Sequence, residues 1–190
     1  MSGGGRTPAT RPINLGLPSG VLWAEANVGA REDIDSGLYF SYGNTNGHTP
    51  GDGYIFDEET YLSTEGANVT GDIDLEHDAA RLSLGGNWRM PTREDAAELI
   101  ANTTQLWTRK KGVSGILFTS TQNGNTLFIP AGGYLEDVRI RFAGTTGRGW
   151  LSNGGSESAG YVLRVQSSGA NVASSIARYL GVNVRAVRDD

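Results

Sequence analysis

The sequence contains no cysteine, only two histidines, and no apolar run near the about 20 residues that span a membrane. Without cysteine there are no disulfides, thiolate nucleophiles or cysteine-based zinc sites, so the fold depends on packing alone. His48 and His77 lack the HExxH and HxH spacings of zinc sites, and no serine occupies a Gly-x-Ser-x-Gly elbow. We therefore expect no enzyme activity, no cofactor, no metal and no membrane insertion.

Basic residues are also too few to form a positively charged stripe. Lysine and arginine total 16, aspartate and glutamate total 21, and the formal net charge is −5. The electrostatic attraction that dominates nucleic-acid binding is therefore missing, and we expect no nucleic-acid partner.

Glycine is abundant, with 28 residues in a chain of 190 that is 37% apolar. This composition favours a single, loop-rich sheet domain over a helical bundle. Residues 1–12 read as a flexible leader without the apolar segment of a signal peptide, and residues 13–190 as one domain. Either an export signal is removed, or the protein reaches the outside without one, as a virion component does after lysis.

Two short helices are predicted from their end signals. The first covers residues 78–82 and ends at Gly85. The second begins after Thr92, which caps it, with Asp95 in the position of a capping-box acid, and it continues to Ile100.

The rest of the chain reads as strands, turns and one long ordered loop over residues 44–70. Asn123-Gly124 is a hairpin signal, and the last two strands alternate apolar and polar residues, which places Arg164 and Arg185 on an exposed face. The predicted strands cover residues 21–24, 36–43, 116–119, 126–129, 161–166 and 182–188.

The acidic run Asp72–Asp78 allows two interpretations. Its alternate carboxylates converge on calcium if the backbone curls into a loop. The glycine of an EF-hand is absent, however, and Asp78 is well placed to cap the first helix. We therefore predict no metal site but leave calcium open.

Several stretches together resemble a known family. The most specific block is Gly85-Gly86-Asn87-Trp88-Arg89-Met90-Pro91-Thr92, in which a glycine pair, an aromatic anchor and a helix start occur in order. The other stretches are residues 13–30, 36–44, 78–84, 93–100, 125–134 and 178–188. They resemble the fibrobacter major paralogous domain, common in surface proteins of Bacteroidetes and their phages.

This resemblance implies an α+β, C-type-lectin-like fold with two helices, a small twisted antiparallel sheet and many long loops. It also implies that the first and last strands pair, here the strands of Leu22 and Val184. The chain departs from the family in having Ala26 where a cysteine is frequent, and Trp150-Leu151-Ser152 where Trp-Ser-Ser is usual.

The C-terminal signature is also similar to the variable proteins of diversity-generating retroelements, in which mutagenesis of adenines rewrites selected codons. Residues 138–190 contain no lysine and no methionine, which such mutagenesis of Asn codons does not produce. The resemblance implies a diversified ligand-binding surface that resembles an antibody paratope in residue types. Its expected residues are Arg139, Arg141, Arg148, Leu151, Asn153, Ser174, Ser175, Ile176, Tyr179, Leu180 and Asn183.

Three functions follow as hypotheses. The first is a non-catalytic receptor-binding or adhesion protein, a phage tail-fibre tip or a displayed variable protein, which binds an extracellular protein or glycan from a virion or bacterial surface. The second is a secreted or lipid-anchored bacterial surface domain with a fixed ligand. The third is a sheet-rich enzyme with an unrecognised site. A homo-oligomer is left open.

Overall fold

Strands dominate the computed structural model, which describes residues 11–190. Within these residues thirteen strands form four antiparallel sheets, and three α-helices are short. The helices are α1 (Glu58–Leu62), α2 (Ala79–Leu84) and α3 (Arg93–Ala101). The strands are β1 (Pro12–Ile13), β2 (Leu22–Ala24), β3 (Trp88–Arg89), β4 (Thr103–Lys110), β5 (Val113–Ser120), β6 (Thr126–Pro130), β7 (Tyr134–Glu136), β8 (Arg139–Arg141), β9 (Thr146–Gly154), β10 (Ala159–Gln166), β11 (Gly169–Asn171), β12 (Ser175–Ala177) and β13 (Val187–Arg188).

The expected two-helix, C-type-lectin-like α+β fold is wrong for this chain. The helices cover only 5, 6 and 9 residues, whereas ten of the thirteen strands follow α3. The glycine-rich turns after α3 connect short strands that pair with one another, so the C-terminal half becomes sheet. The two-helix expectation came from the family resemblance, and it underestimated how much of the chain after α3 forms strands.

The first sheet has the strand order β1-β2-β13-β3 and joins the two ends of the described chain. Val187 of β13 lies opposite Trp23 of β2 and Arg89 of β3. The strand of Leu22, β2, thus pairs with the last strand as expected. The paired residues of the last strand are Val187 and Arg188 rather than Val184. Pro12 belongs to β1, and the Arg11 carbonyl accepts the backbone N–H of Glu25. Residues 1–10 of the expected leader lie outside the described residues.

Both helix predictions are confirmed, and their caps are the expected ones. The Asp78 side chain accepts the backbone N–H of Arg81 at the start of α2, which ends at Gly85. Thr92 and Asp95 form a reciprocal capping box at the start of α3. The expected loop over residues 44–70 also contains α1, which the sequence reading missed.

The sheet of β9, β10, β11 and β12 carries the C-terminal third of the chain. β9 pairs along one edge of β10, and β11 and β12 share the other edge. A bulge interrupts the β9–β10 register near Gly160, where an added Cβ would lie 2.6 Å from the Tyr42 ring. Glycine at this position lets the ring pack against the backbone.

β9 and β10 separate two hydrophobic clusters, so they are covered on both faces. Leu151 and Leu163 belong to the first cluster, which also contains Trp23 and Phe118. Trp150 and Val162 belong to the second, which also contains Phe40, Tyr42 and Val184. Burial on both faces makes this strand pair a rigid support for the loops and edges around it.

Residues 182–188 do not form the predicted two-faced strand. Only β13 is regular, and the Arg185 side chain is buried instead of exposed. Its guanidinium donates to Asn27 Oδ1 at 2.7 Å, to the Phe128 carbonyl at 2.9 Å and to the Glu25 carbonyl at 3.2 Å. Burial lowers the pKa of Arg185 to about 10. This arginine therefore ties three chain segments together inside the protein.

Candidate ligand-binding surface

A cleft of about 420 Å³ opens between α1 and the edge of the C-terminal sheet. Ser175, Ile176 and Tyr179, three of the expected binding residues, line it. The exposed side chains of Leu62 and Glu157 also border the opening. We call this feature the C-terminal cleft. It combines apolar surface with hydroxyl and carboxylate groups that can orient a ligand.

Buried Arg178 fixes the floor of the C-terminal cleft. It donates to the carbonyl oxygens of Val69 at 2.8 Å, Ser156 at 2.5 Å and Ala159 at 3.2 Å. Its guanidinium carbon lies 4.5 Å from the centre of the Tyr42 ring. Since these contacts come from separate parts of the chain, the cleft is preformed.

A second exposed feature is the tip and second strand of the β7–β8 hairpin. Five consecutive side chains are exposed there, and we call them the hairpin surface: Val138, Arg139, Ile140, Arg141 and Phe142. Phe142 is 58% exposed and has a left-handed backbone, with φ of 57°. A bulky residue rarely adopts this conformation, and local strain of this kind concentrates at functional sites.

The hairpin surface and the C-terminal cleft are neighbours. Asp137 at the hairpin tip exchanges two backbone hydrogen bonds with Phe56, which immediately precedes α1. Leu135 of β7 exchanges two more with Gly181, two residues beyond Tyr179. The same short segments therefore hold both features next to each other.

Two arginines lie directly opposite each other in the C-terminal sheet. Arg148 of β9 pairs in register with Arg164 of β10. The guanidinium of Arg148 stacks over the Tyr134 ring, 4.6 Å from its centre, and Arg164 Nη1 lies 3.4 Å from Ser174 Oγ. Burial lowers the pKa of Arg148, and the positive charge of Arg164 acts in the same direction. We call these residues the arginine pair; Tyr134 and Ser174 connect it to the two features above.

Not all expected binding residues reach the surface. Leu151 is fully buried in the first hydrophobic cluster, and Leu180 is also buried. Asn183 is buried, and its amide donates to the Leu38 carbonyl at 3.0 Å. Asn153 accepts the backbone N–H of Arg93 at the start of α3. These four side chains support the fold, so they are not part of the candidate ligand-binding surface.

The structure adds residues that the sequence reading missed. In the sequence, Ile140 and Phe142 alternate with the two arginines of the hairpin. Such alternation predicts a strand whose apolar side chains face inward, so these two residues were not expected at the surface. In the described structure β8 is exposed along its whole length, so the apolar and the basic side chains both reach solvent. The sequence predicts that Arg164 lies on a solvent-exposed face, but it does not predict which residue lies opposite. The strand register shows that this residue is Arg148.

The carboxylates of the acidic run Asp72–Asp78 bind backbone N–H groups instead of converging. Asp72 accepts from Gly154, Asp74 from His77, and Asp78 from Met90. Burial raises the pKa of Asp78, against the effect of its backbone hydrogen bonds. Across residues 11–190, no group of three or more histidine, cysteine, aspartate or glutamate side chains is arranged to hold a metal ion.

A separate cavity of about 490 Å³ contains both histidines. His48 stacks on Tyr54 with 4.0 Å between ring centres, and its Nδ1 lies 3.0 Å from Asp52 Oδ2. His77 Nδ1 lies 2.7 Å from Asp74 Oδ1. Both histidines are therefore oriented by aspartates a few residues away in sequence.

Comparisons of this chain with protein families, with curated proteins and with solved structures find no match. In the described part of the chain, no helix has the length and hydrophobicity required to cross a membrane.

Proposed function

We propose that this chain is a non-catalytic ligand-binding protein that binds an extracellular protein or glycan through its C-terminal third. The observation that carries the proposal is the convergence of Ser175, Ile176 and Tyr179 in one preformed cleft. Ser175 and Ile176 lie on β12, which pairs with the doubly covered strand β10, and Tyr179 lies in the turn that follows β12, so the three side chains are presented on a rigid support. Such preorganisation lowers the entropy lost on binding.

The chemistry of the surface also supports binding. Arginine and aromatic residues are enriched at the energetic centres of interfaces, and serine supplies adaptable hydrogen bonds. Arg139, Arg141 and Phe142 are exposed beside the cleft, together with apolar Ile140. An exposed apolar group flanked by positive charges suits a ligand with both apolar and negatively charged parts.

We further propose that this surface is diversified by a retroelement and displayed on a virion or a bacterial cell. The alternative is a secreted or lipid-anchored surface domain with a fixed ligand. Deep sequencing of the last ~170 bases of the gene in its natural population separates the two, a span that covers the strands from β8 onward. Diversification predicts changes at the first two bases of the codons for Arg139, Ser175 and Tyr179. The codons for Trp150 and Leu151 should stay fixed because their side chains are buried.

A binding experiment tests the ligand-binding function itself. Labelled protein is incubated with intact cells from the bacterial community that carries the gene, and bound label is measured by flow cytometry. Tyr179→Ala and Arg141→Ala should each lower binding at least about fivefold, which corresponds to the loss of about 1 kcal/mol that marks an energetically significant interface residue. Arg109→Ala, an exposed arginine on β4, is the control and should bind as the unaltered protein does. Equal binding by all variants would exclude the C-terminal surface as the binding site.

A further inference from the structure

The arginine pair is unusual because two positively charged residues are direct cross-strand neighbours. Cross-strand neighbours of like charge repel, and natural sheets normally place opposite charges in such positions. In the part of the chain that the structure describes, neither Arg148 nor Arg164 forms an ion pair with a carboxylate. Elsewhere in the chain, Arg89 contacts both Asp95 and Asp189 within 3.0 Å.

The surroundings hold both guanidiniums in place. The Arg148 guanidinium lies over the Tyr134 ring, and its Nη1 donates weakly to Thr146 Oγ1 at 3.3 Å. The Nε of Arg148 is buried without a hydrogen-bond partner among the described residues. Gln166 Oε1 accepts from Arg164 Nε at 3.1 Å and from Nη2 at 2.7 Å. Within residues 11–190, Arg164 Nη1 has only the weak contact with Ser174 Oγ. Each guanidinium therefore retains donor capacity that the fold does not use.

We propose that the arginine pair binds a tetrahedral oxyanion, a sulfate or a phosphate group, between Arg148 and Arg164. The two guanidiniums approach from adjacent strands, so the bound group needs oxygens that point in more than one direction. A tetrahedral oxyanion has them, whereas the two oxygens of a carboxylate fit one arginine fork best. The chain carries a net charge of −5, so a bound anion reflects this local pair rather than a general positive field.

This inference deepens the proposed function and rests on it for its biological role, since the arginine pair lies beside the C-terminal cleft. The test of the oxyanion site uses inorganic ions and needs no protein or glycan partner. The oxyanion site and the proposed function can therefore fail separately. A free ion and a group carried on a polysaccharide share this chemistry. A second titration with dextran sulfate and unsulfated dextran distinguishes the two sources.

The experiment is an NMR titration of the arginine Nε–Hε signals with sodium sulfate and sodium phosphate, against sodium chloride at equal ionic strength. Sulfate and phosphate should shift the Arg148 and Arg164 signals in a saturable way. Arg164→Gln and Arg148→Lys should weaken binding at least about tenfold, because each removes charge-assisted hydrogen bonds. Arg109→Gln, whose arginine contacts only Ser114 Oγ at 3.5 Å, should leave binding unchanged.

Either of two results would overturn the oxyanion site: equal shifts with chloride, or equal weakening by Arg109→Gln. Thermal melting by circular dichroism checks that the variants fold. If Arg148→Lys does not fold, Arg164→Gln alone decides, because Arg164 lies on a half-exposed part of β10. Sulfate should also raise the melting temperature of the unaltered protein more than that of Arg164→Gln, since the general stabilisation by sulfate acts on both proteins and an ion bound only to the folded state adds to it.

Discussion

The indole Nε1 of Trp150 donates a hydrogen bond of 2.6 Å to the main-chain oxygen of Phe40. This contact joins β9, which leads into the proposed binding surface, to a segment more than a hundred residues earlier. The Trp150 ring also meets the edge of Tyr42, with 5.4 Å between centres and 72° between planes. Trp150 therefore belongs to the support of the surface and not to the surface itself.

Trp150→Phe should lower the free energy of unfolding by about 2 kcal/mol, from the lost hydrogen bond and the space left by the smaller ring. Urea unfolding followed by circular dichroism measures it. The matched control is Trp107→Phe in β4, whose side chain is only partly buried at the edge of the first cluster. The control should lose less than about 1 kcal/mol. Equal losses would contradict the role assigned to Trp150.

Leu151→Ala should be destabilising by roughly 2–5 kcal/mol, because the side chain is fully buried and its loss leaves a cavity. Arg139→Ala, at an exposed position on β8, should change stability by no more than about 0.5 kcal/mol. Denaturant titrations of both variants compare the two positions directly. A neutral Leu151→Ala would place this residue back on the variable surface, where the sequence resemblance had put it.

Local signals in the sequence were sufficient for some elements and not for others. Asp78, Thr92 and Gly85 mark helix ends through contacts within a few residues, so both helices were predicted with their caps. Burial on both faces of β9 and β10 depends on which segments pack above and below them. Leu151 was therefore misplaced and the cross-strand neighbour of Arg164 was not predicted, since strand alternation describes one strand and not its neighbours.

Strand alternation also failed to predict the position of Arg185, which lies in the core. It is completely buried, and its hydrogen bonds join the segments around Asn27 and Phe128. Arg185→Met should lower the free energy of unfolding by about 2–4 kcal/mol, because these acceptors lose their donor away from water. Arg188→Met is the control: Arg188 is half-buried and stacks over Trp88 with 5.2 Å to the ring centre. Thermal and urea unfolding of the pair should show a clearly larger loss for Arg185→Met.

Phe142→Gly should raise the melting temperature while weakening ligand binding. The left-handed backbone of Phe142 is strained for a residue with a side chain, and glycine relieves a strain of roughly 1 kcal/mol. The exposed ring contributes only a tilted contact with Tyr134, 6.0 Å between centres, so little packing is lost. Phe142→Ala is the control, because it removes the ring but keeps the strain. If Phe142→Gly is no more stable than Phe142→Ala, the strain is not significant.

Alkaline pH should destabilise the protein through two buried tyrosines. Burial raises the pKa of Tyr61 to about 12 and also raises the pKa of Tyr42, both from an ordinary value of 10.0. The folded state therefore keeps these protons where the unfolded chain releases them. Their stabilising contribution is complete below pH 10 and is lost as the pH rises through the folded-state values.

Melting temperatures between pH 8 and pH 12 test this dependence. The lowered pKa of Arg185 acts in the opposite direction above pH 10, so the difference between two proteins is more informative than one curve. Tyr61→Phe removes one ionisable group and the hydrogen bond to the Tyr42 carbonyl, so it should be less stable at pH 8. Its stability should then fall less steeply above pH 10 than that of the unaltered protein. Parallel curves would mean that Tyr61 keeps its ordinary pKa in the folded state.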